Sequence, residues 1–505
     1  MTSLTVPLER ALQVAADDVA IVVAGGGTLT YRELATRARR LGHALRERGL
    51  HQGDRVAVAG PNTLGHLELL LSVPLAGMVV VPLNARHTDD ELLYALRDSG
   101  SRVLFTDRDP TPFRDDVEHV LALEEDYEAL VAPGGEEAAW AEGLDRDSLA
   151  ALFYTGGTTG AAKGVMTTHG GMTSNALHFM SSWPFGPETR WLVAAPLFHA
   201  AGSVAVVPTV WTGGTQVLLD AFHPGKVLDL IASERVTDTV LVPTMIAAII
   251  DEQQREPRDV SSWRRLMHGG SPIAMQTLRR CHETFPDLEL AEVYGATETG
   301  PLLTMFKGEH ELLDDPRGRS CGQPIVGVQI RLVDEAWQDV APGEVGEVAA
   351  RGPNITIGYW NKPEQTDAVL RDGWYRTGDL AHADERGHLF VVDRAKDMII
   401  TGGENVYCSE VEDVLARHEA VQEVAVFGVP DPRWGEAVFA VVLPRQPVDE
   451  DVLLEHCRKS IAGYKVPKAI ELRTEPLPKS AAGKLLKRVL RDPHWQGSES
   501  RVAGS

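Results

Sequence analysis

The chain has 505 residues, of which 43% are hydrophobic and 24% charged, and it carries a formal net charge of −23 at pH 7. The length exceeds that of one ordinary domain, and the composition excludes a disordered or fibrous chain. The acidic balance, with no basic patch to offset it, disfavours binding to nucleic acid or to an anionic membrane, so we expect small-molecule partners.

The cysteines and the first residues bear on the compartment. Cys281, Cys321, Cys408 and Cys457 lie far apart in the sequence and form no CxxC pair, so neither a disulfide framework nor a zinc site is expected. The N-terminus lacks a secretory pattern, and the most apolar stretch, residues 67–83, is interrupted by a glutamate and two prolines. We therefore expect a cytoplasmic protein without integral membrane association. For the oligomeric state, which these features do not determine, we expect a monomer or a homodimer.

The first half of the chain alternates helix and strand patterns. Residues 31–49 place apolar side chains at helical spacing, and residues 55–59 (RVAVA) form a short apolar run typical of a strand. Similar strand patterns recur between helical runs at residues 78–82, 102–106 and 191–195. This alternation predicts an α/β fold with layered, largely parallel sheets covered by helices.

The pattern changes after residue 331. The segments QIRLVD, GEVAARG and HLFVVD predict short strands with tight turns, and hence a β-rich end to a large domain. Beyond them, an amphipathic helix at residues 409–418 and the strands EVAVFGV and AVFAVVL indicate a small α+β domain. We predict a large N-terminal domain at residues 1–393, a hinge at residues 394–397 and a small mobile C-terminal domain at residues 398–505.

The sharpest motif is residues 154–164 (YTGGTTGAAKG), which follows the strand pattern LAALF. Glycines let backbone N–H groups approach an anion closely, hydroxyls add donors, and a lysine adds positive charge. On composition alone, a glycine-rich turn without any ligand is an equally good interpretation. The candidate phosphate ligands in this loop are Thr155, Gly156, Gly157, Thr158, Thr159, Gly160 and Lys163.

The loop resembles that of the adenylate-forming superfamily, which includes acyl-CoA synthetases, luciferases and peptide-synthetase adenylation domains. The family pattern is Thr-Ser-Gly-Thr-Thr-Gly-x-Pro-Lys-Gly, and this chain has Gly156 and Ala162 at the serine and proline positions. The resemblance extends over nearly the whole chain. It implies an ATP-dependent carboxylic acid:CoA ligase that uses ATP, Mg²⁺ and coenzyme A. The acid's carboxylate attacks the α-phosphorus of ATP and releases pyrophosphate, and a thiol then displaces AMP from the acyl-AMP.

Further motifs of this family follow in its order. They are GGSP at residues 269–272, YGATET at residues 294–299 and YRTGDL at residues 375–380. Each motif alone is a common turn or capping signal. The resemblance implies that the remaining nucleotide ligands are Gly270, Ser271, Tyr294, Gly295, Thr297, Asp379, Arg394 and Lys484. It also implies that Glu298 and Thr155 bind Mg²⁺, a hard cation that prefers oxygen ligands.

The C-terminal motifs imply a rotation of the small domain. The run DRAKD at residues 393–397 resembles the family's hinge, centred on Lys396, and Gly402, Gly403 and Glu404 resemble the lining of the coenzyme A tunnel. Lys484 ends the motif PKSAAGK and is implied to reach both the acid and the α-phosphate. A cation between two anions offsets their repulsion and stabilises the charge that develops on phosphorus.

The acyl group's surroundings can be assigned only by resemblance. The segment PLFHAAG resembles the family's acyl-pocket segment, with His199 at its neck; Lys484, Glu298, Thr155 and His199 are therefore the implied catalytic residues. The candidate pocket residues are His199, Val204, Val242, His268 and Gly269. Their mostly apolar character predicts an uncharged aliphatic, alicyclic or aromatic acid. An inward-pointing Arg264 or Arg265 would instead suit a dicarboxylic acid.

Two alternatives stay open on the sequence alone. The first is a thioester-forming enzyme that acts on a carrier-protein pantetheine or on a pre-formed acyl-adenylate. The second is a non-catalytic nucleotide-binding module. The joint presence of Lys163, Glu298, Asp379, Arg394 and Lys484 disfavours the module, because gathering charged residues costs desolvation and serves no shared structural purpose.

Overall fold

The computed structural model describes residues 3–155, 162–271, 273–308, 313, 315–479 and 485–495. The chain divides into two compact units. The first unit comprises Met1–Ile330 and Ala350–Tyr375, and the second comprises Arg331–Ala349 and Arg376–Ser505. This division reflects compactness and does not test where the chain bends when the small domain moves. The hinge and the domain bounds suggested by the sequence therefore stay predictions.

The helices alternate with strands along most of the chain. They are α1 Thr5–Val14, α2 Tyr31–Glu47, α3 Leu64–Leu75, α4 Asp89–Ser99, α5 Glu125–Val131, α6 His169–Ser182, α7 Ala200–Ser203, α8 Val206–Thr212, α9 Pro224–Glu234, α10 Pro243–Arg255, α11 Met275–Thr284, α12 Pro363–Val369, α13 Cys408–Ala416, α14 Glu450–Ser460 and α15 Lys487–Arg491. Short 3-10 turns occur at Thr111–Phe113, Thr297–Thr299, Pro316–Arg319 and Asp492–Trp495.

The strands include every segment that the sequence predicted to be one. They are β1 Val19–Val23, β2 Thr28–Thr30, β3 Arg55–Ala59, β4 Val79–Pro82, β5 Ser101–Thr106, β6 His119–Ala122, β7 Leu149–Thr155, β8 Lys163–Thr168, β9 Arg190–Val193, β10 Thr215–Leu218, β11 Asp238–Leu241, β12 Arg265–Gly269, β13 Glu289–Tyr294, β14 Thr304–Lys307, β15 Gln323–Pro324, β16 Gln329–Val333, β17 Gly346–Arg351, β18 Leu370–Arg371, β19 Trp374–Ala383, β20 Leu389–Arg394, β21 Ile399–Thr401, β22 Glu404–Val406, β23 Val421–Asp431, β24 Gly435–Pro444 and β25 Ala469–Leu472.

Two sheets lie wholly within the described part of the first unit. One has nine strands in the order β15-β14-β13-β12-β11-β9-β10-β1-β2, and the other has six in the order β6-β5-β3-β4-β7-β8. The inner pairs are parallel, and antiparallel pairs occur at the edges, as between β13 and β14 and between β7 and β8. The prediction of largely parallel, layered sheets is therefore confirmed. Parallel strands bring their carboxyl ends to one edge, which is where ligands bind in such folds.

The helices bury the faces that their sequences predict. Thr30 and Glu33 form a reciprocal capping box at the start of α2, and the helix buries Leu34, Leu41 and Leu45 completely. Helix α3 is buried on nearly every side, as expected for the most apolar stretch. Its buried Glu68 is neutralised by Arg37, whose Nε lies 2.7 Å from Oε1.

The second unit has its own sheet, with strands in the order β22-β21-β24-β23 and β25 beside β24. Helix α13 buries Val411 and Leu415 in the same core as Val426 of β23 and Val442 of β24. A further sheet has the order β16-β17-β19-β18, with β20 paired to β19. These strands are the predicted β-rich region, and the chain crosses between the two units within β16, β17 and β19.

Within the described ranges, no helix combines the length and the apolarity that crossing a bilayer requires.

Candidate nucleotide and acyl site

The phosphate loop begins and ends on a β-hairpin of the first unit. Strands β7 and β8 are antiparallel, and Thr155 lies directly opposite Lys163 at the end of the pair. Both predicted ligands are therefore fixed at the base of the loop. The other predicted phosphate ligands, Gly156, Gly157, Thr158, Thr159 and Gly160, lie outside the described residues.

Helix α4 anchors both sides of this loop. The hydroxyl of Tyr94 donates to the carbonyl of Ala162, 3.1 Å away, and the hydroxyl of Tyr154 donates to Oδ2 of Asp98 at 2.7 Å. Oδ1 of the same aspartate pairs with Nζ of Lys362 at 2.8 Å. The residues that flank the loop are thus held by long-range contacts that the loop's own sequence does not reveal.

The YGATET motif turns sharply after β13. A Cβ atom at Gly295 would stand 1.9 Å from the carbonyl oxygen of Pro301, so only glycine allows the chain to turn there. The hydroxyl of Thr299 accepts from the backbone N–H of Ala296 and closes the 3-10 turn that carries Glu298. Tyr294 and Glu298, two predicted site residues, therefore lie at the two ends of one rigid turn.

A segment that the sequence analysis did not single out, residues 354–360, holds this turn. Nδ2 of Asn354 donates to the carbonyl of Thr299 at 2.6 Å and to that of Leu302 at 3.1 Å. The backbone N–H of Thr356 donates to the carbonyl of Glu298 at 2.8 Å. The segment gave no chemical signal in the sequence, because amides and threonines in a loop are most often surface residues.

Tyr359, in the same segment, contacts residues from two separate motifs. Its hydroxyl donates to Oε1 of Glu298 at 3.0 Å, and Nζ of Lys163 lies 4.7 Å from its ring centroid. The backbone N–H of Trp360 donates to the carbonyl of Gly164 at 2.8 Å. The structure thus brings the predicted phosphate-binding lysine and the predicted metal-binding glutamate together on one aromatic side chain.

The carboxylate of Glu298 fits the role of a metal ligand. In the described part of the chain, its only hydrogen-bond donor is the Tyr359 hydroxyl, which takes Oε1. Oε2 is left as a hard oxygen ligand of the kind that Mg²⁺ takes beside phosphates. The role of Thr155 as a second metal ligand stays a prediction.

At the end of β12, residues predicted for the nucleotide site lie beside residues predicted for the acyl pocket. A Cβ atom at Gly269 would lie 2.3 Å from the carbonyl of Val293 on β13, and Gly270 has a left-handed backbone with φ +78°. Cγ1 of Val242 lies 3.9 Å from the Cβ position of Gly270. Gly269, Gly270 and Val242, predicted from separate motifs, are therefore neighbours.

His199 presents a shielded, unpaired nitrogen. Its Nε2 has no hydrogen-bond partner among the described residues. Burial, with smaller contributions from His87 and Arg86, lowers the pKa of His199 to about 4. The imidazole is therefore neutral at physiological pH and its Nε2 is available to a polar ligand group. The other predicted pocket residues, Val204 and His268, are also buried.

Asn62, two residues before α3, forms two hydrogen bonds with the chain at the start of the predicted acyl-pocket segment, PLFHAAG, which we call the acyl segment. Nδ2 donates to the carbonyl of Ala195 at 3.0 Å, and Oδ1 accepts from the backbone N–H of Leu197 at 2.9 Å. The side chain is 5% exposed. This residue was missed because its partners lie 133 and 135 positions away in the sequence.

Arg264 and Arg265, the two arginines suggested for a dicarboxylic acid, are described residues whose positions can be compared with that of Gly269. Arg265 begins β12 and pairs with the buried Asp238 through two contacts of 2.5 and 2.9 Å. Four strand steps, roughly 13 Å, separate it from Gly269 at the pocket end. Arg264 is exposed. Arg265 therefore lies at the opposite end of β12 from Gly269, a residue of the predicted acyl pocket.

In the second unit, the two predicted ribose ligands are paired. Asp379 and Arg394 stand opposite each other on β19 and β20, and Nε of the arginine lies 2.8 Å from Oδ1 of the aspartate. Asp379 is 5% exposed. The arginine fixes the carboxylate's orientation, and an ionised carboxylate can accept hydrogen bonds from adjacent sugar hydroxyls.

The predicted hinge forms a short turn with anchored ends. Lys396 lies within it, and the N–H of Asp397 donates to the carbonyl of Arg394 at 2.9 Å. On one side, Asp393 accepts from the N–H of Cys408 at 2.5 Å, and burial raises the pKa of this aspartate. On the other side, Asp397 pairs with Arg491 at 3.5 Å.

The predicted coenzyme A residues form the turn between β21 and β22. Gly402 and Gly403 have φ values of +61° and +87°, which favour glycine. The N–H of Gly402 donates to the carbonyl of Trp434 at 2.8 Å, and Glu404 is exposed. Lys484, the predicted catalytic lysine, lies outside the described residues.

Comparison with protein families matches most of the chain. The family model for AMP-binding enzymes matches residues 8–360, and the model for the AMP-binding enzyme C-terminal domain matches residues 410–484. The second match begins within α13 and ends at Lys484.

Two curated relatives align along nearly their whole lengths. A feruloyl-CoA synthase from Amycolatopsis sp is 43% identical over 474 residues, which cover 92% of this chain and 94% of that protein. A fatty acid–[acyl-carrier-protein] ligase from Streptomyces coeruleorubidus is 35% identical over 500 residues, covering 95% and 94%.

Solved structures agree with these relatives. The o-succinylbenzoate CoA synthetase of Bacillus subtilis, in complex with its acyl-adenylate intermediate, has a TM-score of 0.88 at 32% identity and covers 96% of this chain and 98% of its own. ATP-bound MatB from Rhodopseudomonas palustris has a TM-score of 0.89 at 32% identity, covering 98% and 99%. These matches confirm the predicted resemblance, fold class and reaction class. The chain belongs to the adenylate-forming family of AMP-binding enzymes, among the acid–thiol ligases that use ATP, Mg²⁺ and coenzyme A.

Proposed function

We propose that this ligase acts on an uncharged aromatic acid of the hydroxycinnamic type and converts it to the coenzyme A thioester. The observation that carries the proposal is the 43% identity to a feruloyl-CoA synthase over 92% of the chain. Relatives named for fatty acids or for 2-succinylbenzoate are 33–35% identical over similar lengths.

The lining of the acyl pocket supports an uncharged ring. Val204 and Val207 are buried aliphatic residues in the segment that follows His199, Arg265 is paired with Asp238, and Arg264 is exposed. Flat aromatic acids bury their faces against such a wall and need few polar partners. The neutral, shielded Nε2 of His199 offers one polar contact at the neck.

In the first half-reaction, the chain's residues bind and orient two anions. Lys163 binds the triphosphate, Asp379 and Arg394 bind the ribose, and Lys484 reaches the acid's carboxylate and the α-phosphate. When bound at Glu298, Mg²⁺ supplies positive charge that offsets the negative charge of the phosphates. Positioning and charge stabilisation supply most of the catalysis in such transfers.

In the second half-reaction, the turn Gly402–Gly403 replaces Lys484 beside the acyl-AMP after rotation at Lys396. The proposed large domain is residues 1–393, the hinge is residues 394–397 and the small domain is residues 398–505. Ser271, Tyr294 and Thr297 are proposed nucleotide ligands, and Glu404 is a proposed residue of the coenzyme A tunnel. A cytoplasmic location and a monomeric or homodimeric state also stay predictions.

A substrate panel tests the proposal. We would measure kcat/KM from coenzyme A-dependent AMP release with ferulate, cinnamate, decanoate, palmitate and malonate. We expect the two aromatic acids to exceed the fatty acids by about tenfold or more, since one mismatched group in a pocket costs roughly 1–3 kcal/mol. A preference for a fatty acid or for malonate contradicts the proposal.

Matched lysine variants separate the substrate question from the reaction. Lys484→Ala should abolish AMP release with every acid. Lys459→Ala, which removes an exposed lysine of α14 that pairs with Glu455 at 3.7 Å, should leave it unchanged.

The thiol acceptor has a second candidate, favoured by the 35% identity to a carrier-protein ligase over 95% of the chain. Replacing coenzyme A with a phosphopantetheinylated carrier protein in the same assay decides between them. A higher kcat/KM with the carrier would assign the carrier as acceptor.

A further inference from the structure

Tyr359 lies outside every motif that the family resemblance supplied. We propose that Tyr359 is a positioning residue that couples metal binding to phosphate binding: its hydroxyl fixes Oε1 of Glu298 and leaves Oε2 for the metal, while its ring holds Lys163. The inference rests on the proposed roles of Glu298 and Lys163 in binding MgATP.

The first support is the rigidity of the side chain. Tyr359 is 6% exposed. Its backbone forms a β-bridge with Val165 of β8, and its N–H donates to the hydroxyl of Thr366 at 2.9 Å. The residue is therefore fixed to the loop's hairpin on one side and to α12 on the other, so its hydroxyl holds the carboxylate of Glu298 at a defined position.

The second support is the chemistry of the carboxylate contact. An ionised carboxylate only accepts hydrogen bonds, and it has two oxygens. A phenol that donates to Oε1, at 3.0 Å, stops rotation of the carboxylate without adding a charge. Partners of this kind orient metal ligands, and removing them typically weakens metal affinity by 10–100-fold.

The third support is the contact with Lys163. An aromatic ring attracts an ammonium group through its face, and Nζ lies 4.7 Å from the ring centroid. Throughout the described ranges, no carboxylate lies within ion-pair distance of this ammonium. The ring thus holds the lysine in place and leaves its full charge for phosphate, which an acidic partner would partly neutralise.

The coupling follows from these two contacts sharing one side chain. Glu298 is 61 positions before Tyr359 and belongs to the YGATET turn, whereas Lys163 belongs to the loop's hairpin. Displacing the ring therefore moves both groups together. Removing only the hydroxyl should affect the metal and spare metal-free ATP.

The test uses binding, without turnover. Mn²⁺ replaces Mg²⁺, and its affinity is measured by electron paramagnetic resonance with a non-hydrolysable ATP analogue and no acid. We expect Tyr359→Phe to weaken Mn²⁺ affinity by about 10–100-fold and to leave the metal-free affinity for the analogue unchanged. Tyr359→Leu should weaken both affinities.

A double-mutant cycle separates positioning from a general structural effect. In a Glu298→Gln background, Tyr359→Phe should cause no further loss of Mn²⁺ affinity, because the hydroxyl acts through that carboxylate. As a control, Tyr31→Phe removes another buried tyrosine hydroxyl, which donates to the carbonyl of Gly214 at 2.6 Å. The control should leave Mn²⁺ affinity unchanged.

Three results would overturn the inference. The first is wild-type Mn²⁺ affinity in Tyr359→Phe, and the second is an equal loss in the Glu298→Gln background. The third is a Glu298→Gln variant that binds Mn²⁺ normally, which would refute the proposed metal role of Glu298 itself. None of these results depends on which acid the enzyme accepts, so failure of the inference is distinguishable from failure of the substrate proposal.

Discussion

Replacing Asn62 by alanine should loosen the acyl segment without touching the nucleotide. The change removes both hydrogen bonds to residues 195 and 197, whose partner groups are the carbonyl of Ala195 and the N–H of Leu197. Both residues are buried. Leaving a buried polar group unpaired costs about 1–3 kcal/mol, so two such groups set an upper range of about 2–6 kcal/mol.

Water will reduce this cost. Asn62 lines an open cavity of about 650 Å³ together with Thr63 and Lys226. A water molecule from this cavity can pair one or both groups at a small entropic cost. We therefore expect a loss of about 2 kcal/mol in the free energy of unfolding. Because the same segment carries His199, the KM for the acid should rise by about tenfold, which corresponds to roughly 1.4 kcal/mol.

Calorimetry and initial-rate kinetics check this prediction. Thermal unfolding of Asn62→Ala reports the lost stability, and the KM values for acid and ATP are measured separately. Lys226→Ala is the matched control, because this side chain lines the same cavity but is 60% exposed and leaves both hydrogen bonds intact. Unchanged stability with an unchanged acid KM, or equal rises in both KM values, would refute the reasoning.

Three further changes test other parts of the site. Gly295→Ala forces a methyl group to within 1.9 Å of a backbone carbonyl and should destabilise the fold by about 1–3 kcal/mol or more, whereas Gly27→Ala, which meets open space, should be nearly neutral by calorimetry. The pKa of His199 is lowered from 6.5 to about 4, so the stability that its neutral form contributes is present above pH 6.5 and declines as pH falls towards 4. Unfolding midpoints measured across this range should therefore fall less steeply in His199→Phe than in the wild type. An unchanged slope would contradict the lowered pKa. Wild-type enzyme should discriminate against 2′-deoxy- and 3′-deoxy-ATP in KM, and Asp379→Asn should lose most of that discrimination while Arg394→Lys keeps part of it; retained discrimination in Asp379→Asn would remove the aspartate from the ribose site.

The spacing of apolar residues predicted the helices and strands well, because an element with one buried face repeats apolar residues at the period of its backbone. The strand predicted at residues 55–59 is β3, Arg55–Ala59, and the helix predicted at residues 31–49 is α2, Tyr31–Glu47. Both have a buried face or core that requires apolar residues at fixed spacing. The motif residues Asp379 and Arg394 were likewise predicted from the resemblance, and the structure pairs them.

The positioning residues could not be predicted in the same way. Asn62 and Tyr359 act on partners 135 and 61 positions away, and neither residue type signals its partner. Arg265 shows the converse limit, since closeness to His268 in sequence allowed a place in the predicted pocket. The arginine begins β12 and pairs with Asp238, whereas Gly269, four residues later, ends the strand.

Acid-dependent exchange of labelled pyrophosphate into ATP, measured without coenzyme A, tests the central claim most directly. We predict exchange with an aromatic acid, none without acid, and loss of exchange in Lys484→Ala, because the adenylate forms before the thiol is needed. Absence of exchange across the acid panel, with thioester formed only from a pre-formed acyl-adenylate, would contradict it.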